Sequence, residues 1–295
     1  MDQDQDQRHT TAERTALDSE TIRKFVAVAQ ELHFGRAAQR LGIAQPPLSR
    51  AIKQLERRLG VLLFTRDGRT VTLTGAGTVL LSEGRAVLDA VQAAERRTRR
   101  AAAGTPGIVL ATKAGASSEL LAKLLDAYAA EPDAADVEVL LCGPAEQERL
   151  LRDGGADVAL LHRPFDSTAG FDTEELSTEQ QVLVLPAGHP LSGRESVPAA
   201  EVAGLAGLPL PRWPCRDGRY PDGPGPAVRD NAQLYQLIAL GRACAVLPES
   251  CRSRLLNELV TVPVPDAPAV STVIAWPPHS RSQAVAGLVR AATRL

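Results

Sequence analysis

The chain has 295 residues, 44% of them hydrophobic and 23% charged, and 33 Lys plus Arg against 35 Asp plus Glu give a formal charge of −2. That length accommodates a small module plus one or two larger α/β domains, and the composition is that of an ordinary globular protein. No apolar run approaches the roughly 18–20 residues that cross a bilayer, the opening MDQDQDQRHTTAERTA has no apolar signal core, and Cys142, Cys215, Cys244 and Cys251 lack CxxC spacing. A membrane protein, a zinc module and a disulfide scaffold are therefore set aside; the chain is expected in the cytoplasm, with its thiols free and buried and a redox-sensing pair left open.

In chain order, residues 1–16 are polar and low in complexity and read as a disordered tail. Asp18 or Ser19 caps a first helix with Ile22, Phe25, Val26 and Ala29 as its apolar stripe. Ala37, Ala38 and Leu41 then share a helical face, and Gly42 is free to leave the helix, so the turn is placed at Gly42 to Ala44. The next helix opens at Gln45-Pro46-Pro47, where the first-turn N–H groups lack partners and proline loses little. Leu48, Ile52, Leu55 and Leu59 form its expected buried side. Gln45, Ser49, Arg50 and Lys53 lie elsewhere on the cylinder, toward the N-terminal half, where the second helix of a helix-turn-helix presents side chains to base edges.

After Gly60, Leu62-Leu63-Phe64 and Val71-Thr72-Leu73 flank the polar stretch Thr65 to Arg69, which reads as a wing whose Arg66 and Arg69 reach phosphate or the minor groove. A solvated turn is the plain alternative for these two arginines. From Thr21 to Gly75 there are ten Lys plus Arg against three Asp plus Glu, a net of +7 in a chain of total −2. A helical hairpin with a solvated basic face competes with this reading, but so large a local excess fits a polyphosphate partner. The candidate DNA-contacting residues are Arg36, Gln45, Pro46, Pro47, Ser49, Arg50, Lys53, Arg66 and Arg69.

The stretch AVAQELHFGRAAQRLGIAQPPLSRAIKQLERRLGVLLFTRDGRTVTLTGAG resembles, motif after motif and in order, the N-terminal domain of LysR-type transcriptional regulators. The resemblance implies an α/β protein overall: a winged helix-turn-helix over 17–75, a linker helix and hinge over 76–104, and a two-lobed, periplasmic-binding-protein-like effector domain over 105–295. Lobe I would take 105–190 and 266–295, and lobe II 191–265. The resemblance also implies double-stranded DNA, a small-molecule effector, RNA polymerase and further copies of the chain as partners. Ala44 departs from the Ser or Thr common before the recognition helix, a lost cap expected to cost about 1 kcal/mol.

From Thr74 to about Arg100 runs one long helix with Leu80, Leu81, Val87, Leu88 and Val91 recurring along it, and a lone helix of this kind needs a partner for its stripe. In the family the matching segment pairs two subunits. A two-fold protein also suits the palindromic sites that paired recognition helices read, so a homodimer is expected and a tetramer follows from the resemblance. Basic charge ends the helix favourably, and Ala101 to Gly107, AAAGTPG, reads as the hinge.

From Ile108 onward short apolar strands alternate with helices, which predicts a mostly parallel sheet. Strands are expected at Ile108–Ala111, Val137–Leu141, Asp157–Leu161, Gln181–Leu185, Ala243–Leu247 and Val273–Trp276, with helices at Ser118–Tyr128, Glu146–Leu151, Asn231–Leu240 and Ser282–Leu295. The net of −7 over residues 101–295 indicates that this region does not bind DNA.

Ligand positions are sought at strand and helix ends facing the cleft. Gly115, Ala116, Ser117 and Ser118 form a small polar turn suited to an anion or to ordinary helix capping. Family pockets add the turn after the second strand, here Gly143 and Pro144, the segment after the third, with Arg163, and the lobe II helix start, Asn231 to Gln233. Pro144 departs from the hydroxyl residue often found there, which counts against a simple aromatic acid. Arg163 would neutralise an anion or bridge the lobes. His162 and His189 have no partners at metal-ligand spacing. Leu208 to Pro226, dense in Pro and Gly, is expected as an irregular loop whose Trp213 and Tyr220 either cover a ligand or fill surface. No GxSxG, GxxxxGK[ST], HExxH or paired-carboxylate motif supports catalysis, and no cofactor is expected.

Overall fold

The computed structural model describes residues 17–67, 70–103, 107–205, 207–215, 219–255, 257–278 and 280–295. The expected tail at 1–16 and part of the expected hinge, 104–106, lie outside them. The chain divides into two compact units, Met1–Glu95 and Arg96–Leu295.

In the N-terminal unit α1 (Ser19–Glu31), α2 (Phe34–Leu41) and α3 (Gln45–Leu59) precede the hairpin strands β1 (Phe64–Asp67) and β2 (Thr70–Leu73) and the start of α4 (Gly75–Ala102). Asp18 caps α1, accepting from the Thr21 N–H at 2.7 Å. His33 caps α2 through Nδ1, which accepts from Gly35 and Arg36. Gly42 ends α2 at φ 66°, a left-handed conformation where any Cβ would be strained, and the Ile43 N–H closes on the Ala38 carbonyl. Ile22, Phe25, Ala37, Leu48, Ile52, Leu55 and Phe64 form one core.

Three expectations for this unit are corrected by the structure. Leu59 is 41% exposed rather than buried, and the last turn of α3 instead buries Glu56, whose Oε1 accepts from the Leu63 and Phe64 N–H groups at 2.9 and 3.2 Å. The first hairpin strand begins at Phe64 and runs through residues expected in the turn. Most of the α4 stripe is used within the chain: Leu80, Leu81 and Leu88 pack on the N-terminal core, leaving Val79 and Val87 exposed. Close approach of α4 rests on glycines, since a Cβ at Gly77 would overlap the Leu63 carbonyl and one at Gly84 would crowd Ile22.

The C-terminal unit holds two sheets. The first has the order β4 (Val137–Cys142), β3 (Ile108–Lys113), β5 (Val158–Arg163), β10 (Val270–Trp276), β6 (Asp172–Glu179). Helices α5 (Ser118–Ala129) and α6 (Glu146–Arg152) make the crossovers β3-α5-β4 and β4-α6-β5, and α9 (Gln283–Ala292) packs beside α5. The second sheet has the order β8 (Ala245–Pro248), β7 (Gln181–Pro186), β9 (Leu259–Pro263), with the short α7 (Ala199–Ala203) on one face and α8 (Asn231–Ala239) on the other.

The sheets are mixed rather than mostly parallel. Among these strands only β3–β4 and β3–β5 are parallel; β10 runs antiparallel to both its neighbours, and the second sheet is antiparallel throughout. The cause is the double crossing, because strands that return from the far lobe enter the first sheet in the opposite sense. The first crossing falls at Gln180, between β6 and β7, about ten residues before the division expected at 190. β6 and β9 were not foreseen: β6, DTEELSTE, is a polar edge strand half open to solvent, which removes the apolar signal of a buried strand.

Candidate nucleic-acid interface and ligand cleft

The face of α3 opposite its core is polar and cationic. Gln45, Pro46, Pro47, Arg50 and Lys53 are exposed and Ser49 is half-buried. Arg50 and Lys53 make no ion pair among the described residues, so their charge is available to a partner. Arg57 stands on the same face, and with Arg50, Lys53 and Thr65 it lines a groove between α3 and the hairpin. Arg57 was not foreseen, although its spacing from Arg50 and Lys53 is helical. Arg36 sits at the α1–α2 corner, where its Nη2 donates to the Glu31 carbonyl at 2.6 Å and its Nε approaches the Glu31 carboxylate at 3.4 Å. Arg66 belongs to β1, its side chain outside the described set, and Arg69 lies outside the described residues altogether.

Ala44 is the N-cap of α3, extended at φ −72° and ψ 149° with no side-chain cap bond. The two prolines next to it remove the expected cost of this missing cap. A cap side chain accepts from the second or third N–H of the helix, and those positions are Pro46 and Pro47, which have none. An alanine here leaves nothing unsatisfied that a serine would satisfy.

In the C-terminal unit the cleft between the two sheets holds two chambers. The first, about 370 Å³, is lined by Lys113, Cys142, Gly143, Pro144, Phe165 and Asp166 from lobe I and by Trp213, Arg229, Asp230 and Val246 from lobe II. The second, about 390 Å³, is lined by Gly115, Ser117, Ser118 and Thr272 together with Ser177, Tyr235, Ser250 and Ser253. Ala116, His162, Asn231, Leu247 and Pro248 border both. The lobes touch where the Asn231 side chain donates to the Ala114 carbonyl at 3.4 Å, against Gly115, whose φ is 77°.

A buried polar cluster forms the lobe I floor. Lys113 Nζ lies 3.2 Å from both Asp166 oxygens, Asp166 Oδ2 accepts from the His162 N–H at 2.8 Å, and His162 Nε2 pairs with Ser117 Oγ at 2.7 Å. Burial pushes the Asp166 carboxyl upward, but the His162 hydrogen bonds and the Lys113 ammonium overcome it, and the net effect holds Asp166 below the ordinary carboxylate range.

The predicted ligand residues are thus partly gathered. Gly143 and Pro144 line the first chamber, Gly115, Ser117 and Ser118 the second, and Ala116 and Asn231 both. Ser117 does not cap α5; it sits at φ 48° and spends its hydroxyl on His162. Arg163 lines neither chamber and pairs at 2.6 Å with Glu175 of the same lobe, so it neither reaches a cleft ligand nor bridges the lobes. Gln233 also lies outside both; it donates its backbone N–H to the Asp230 cap, and its side-chain oxygen accepts from the Arg229 N–H. Trp213 lines the first chamber and Tyr220 does not. Asp166 and Phe165 were missed, though both stand directly after the third strand.

Cys142 and Cys244 are buried and Cys251 is half-buried, each pushed up to about 11 by burial, which leaves little thiolate at neutral pH. Cys215 is exposed, contrary to expectation. His189 caps its own turn, accepting from the Leu191 N–H. No helix among the described residues is long and apolar enough to cross a membrane.

Residues 19–78 match the family described as "Bacterial regulatory helix-turn-helix protein, lysR family", and residues 105–295 match the "LysR substrate binding domain". The chain is 31% identical over 275 residues to the uncharacterized HTH-type transcriptional regulator YnfL of Escherichia coli, covering 88% of this chain and 91% of that protein. It is 36% identical over 177 residues to the HTH-type transcriptional regulator AlsR of Bacillus subtilis, covering 60% of this chain and 58% of that protein. The oxidized form of OxyR from Corynebacterium glutamicum shares the fold with a TM-score of 0.51 at 25% identity, covering 94% of this chain and 90% of that one. A helix-turn-helix with an unpaired cationic face, a two-lobed substrate-binding domain and both family matches lead to one conclusion: the chain belongs to the LysR family of bacterial transcriptional regulators, a class that regulates transcription and does not catalyse a reaction.

Proposed function

We propose that this regulator binds palindromic promoter DNA as a homodimer, or as a pair of dimers, and that a small molecule in the first chamber changes how it does so. The observation that carries the DNA half is the Arg50–Lys53–Arg57 face, without ion pairs among the described residues, of a helix whose opposite side buries Leu48, Ile52 and Leu55. Such a helix is held rigidly while its polar side stays open to a groove, with Arg50 and Gln45 suited to base edges and Lys53 and Arg57 to phosphate. Two-fold pairing would set two such helices one turn of duplex apart, and the exposed Val79 and Val87 of α4 supply apolar surface for a second copy. As a DNA-acting protein it would work in the cytoplasm.

The chamber assignment rests on its place at strand ends between lobes and on its wholly two-sided lining, so that occupancy favours one lobe spacing over another. The test is fluorescence anisotropy of the full chain with the duplex upstream of its own gene, against a scrambled duplex and across a salt series. Tighter binding to the native duplex with a steep fall in salt is expected. Absence of binding to any duplex at low salt would overturn the DNA-binding face, and ligands that bind the chamber with no change in anisotropy would overturn effector control.

A further inference from the structure

The chain carries only five Phe, three Tyr and two Trp. Phe25, Phe34 and Phe64 lie in the N-terminal core, Phe171 packs on the lobe I core, and Trp276 packs against the neighbouring cluster. Phe165 differs: it stands 60% exposed on the loop after β5, and it lines the same chamber as Trp213. The two rings come from opposite lobes, and among the described residues no ring contact joins them.

Trp213 is held in place by its loop. Its inner side packs on the cluster that includes Leu234 and Ile238 of α8. Its neighbour Arg212 donates from the backbone N–H to Pro226, from Nε to Gly225 at 2.6 Å and from Nη1 to Pro221 at 3.0 Å. Gly225 lies so close to the Leu210 carbonyl that no side chain would fit there. A tryptophan held by its loop on one lobe and an uncovered phenylalanine ring on the other thus line one space of about 370 Å³.

The polar groups define what else the ligand carries. The Asp166 carboxylate is taken up by Lys113 and the His162 N–H, and Asp230 accepts the Gln233 N–H at Oδ1. The Lys113 ammonium has three N–H groups, two of them matched to Asp166, and the exposed Arg229 guanidinium makes no ion pair among the described residues. The remaining Lys113 N–H and the Arg229 guanidinium are cationic donors on the chamber lining, which suits a ligand that carries an acceptor oxygen.

We infer that the first chamber binds a planar aromatic molecule carrying a carbonyl or carboxylate oxygen, its ring between Phe165 and Trp213 and its oxygen toward Lys113 and Arg229. This rests on the reading of the chamber as the effector site. It also reverses the expectation drawn from Pro144, because the acceptor partners are cationic side chains and not a hydroxyl on that turn.

The test uses the full-length W276F chain, in which Trp213 is the sole tryptophan, titrated with benzoate, benzamide and cyclohexanecarboxylate. Benzoate and benzamide should each quench Trp213 fluorescence saturably, with cyclohexanecarboxylate at least about tenfold weaker. Phe165→Ala, at an exposed position that leaves the fold intact, should weaken both aromatic probes roughly three- to tenfold, the value of one aromatic pair, at an unchanged melting temperature. Arg229→Gln should weaken benzoate and spare benzamide if the acceptor is a carboxylate, and leave both alike if it is a neutral carbonyl. Equal binding of cyclohexanecarboxylate and benzoate, no effect of Phe165→Ala, or no quenching by either aromatic probe would overturn the assignment. Repeating the titrations with labelled promoter duplex separates the two readings. Aromatic binding without a change in DNA affinity overturns the effector role alone, and a DNA response to aliphatic acids only overturns the aromatic assignment alone.

Discussion

The two units use the same charged residues in opposite ways. In the N-terminal unit Glu56, the buried carboxylate among the described residues, is satisfied by backbone N–H groups, and Arg50 and Lys53 are left without internal ion-pair partners. In the C-terminal unit the inward carboxylates hold cations: the buried Asp153 takes Arg96 and Arg149, the half-buried Asp157 takes Arg100 through two bonds, and the buried Glu148 and Asp166 take Arg152 and Lys113. The cations on the outer face of α3 are kept for a polyanion, whereas the C-terminal unit pairs its inward charges with one another. The net charges of +7 and −7 over 21–75 and 101–295 are the sequence-level trace of that division.

If the division is right, the largest stability effect belongs to an inward charge. Asp166→Asn should destabilise the C-terminal unit by about 2–4 kcal/mol, toward the lower side for a broken buried pair because Lys113 keeps a fifth of its side chain exposed. Thermal melting of the full chain measures it. The same residue sets a pH signature. Its folded pKa is depressed, so its contribution is present above the unfolded value near 3.8 and is lost as pH falls from there through the lower folded value. Asp166→Asn should therefore flatten the stability profile below about pH 4 relative to the parent chain; an unchanged acid limb would remove Asp166 from that role.

Glu56→Ala should cost the N-terminal unit about 2–3 kcal/mol by orphaning two N–H groups at the start of the hairpin. Loss of DNA affinity without loss of stability in this variant would instead make Glu56 part of the interface. Arg50→Ala should do the reverse: about 1–3 kcal/mol less binding to the preferred duplex, with relaxed preference at one base pair and a melting point within error of the parent. An equal loss on all duplexes would identify Arg50 as a phosphate contact. The smallest effect is expected for Ala44→Ser, within about 0.5 kcal/mol of zero by melting, where an ordinary cap substitution would add about 1 kcal/mol. A gain of that full size would mean that the new hydroxyl at position 44 finds a helix N–H beyond positions 46 and 47, and would overturn the role given to the two prolines.

Much of the N-terminal unit was legible because its signals are local. Helical spacing, the Gly42 turn, the Pro46-Pro47 opening and the Asp18 cap each act within one or two turns of chain, and the structure realises them within a residue or two. The errors fell where a local pattern met a distant demand. Leu59 continues the apolar period of α3, but the chain leaves the core at Gly60, and Glu56 is drawn inward by N–H groups that appear only seven and eight residues later. The long stripe of α4 looked like a surface for a second copy, yet most of it packs on the chain's own first helices.

In the ligand domain the strand ends that border the cleft were placed correctly in the main, but side chains at those ends were sorted by tertiary contacts. Arg163 and Phe165 stand two residues apart; one pairs with Glu175 outside the chambers and the other lines one. Trp213 and Tyr220 belong to the same Pro- and Gly-rich loop, and only the first lines a chamber. By itself the sequence determined the family, the elements of the N-terminal unit and the cationic face of α3, since periodicity, turn chemistry and charge are carried by neighbours in the chain. The direction of β10, the division of the cleft into two chambers and the placing of Phe165 and Trp213 on one chamber were decided only by the tertiary structure, because each depends on segments tens of residues apart that a double crossing between two sheets brings together.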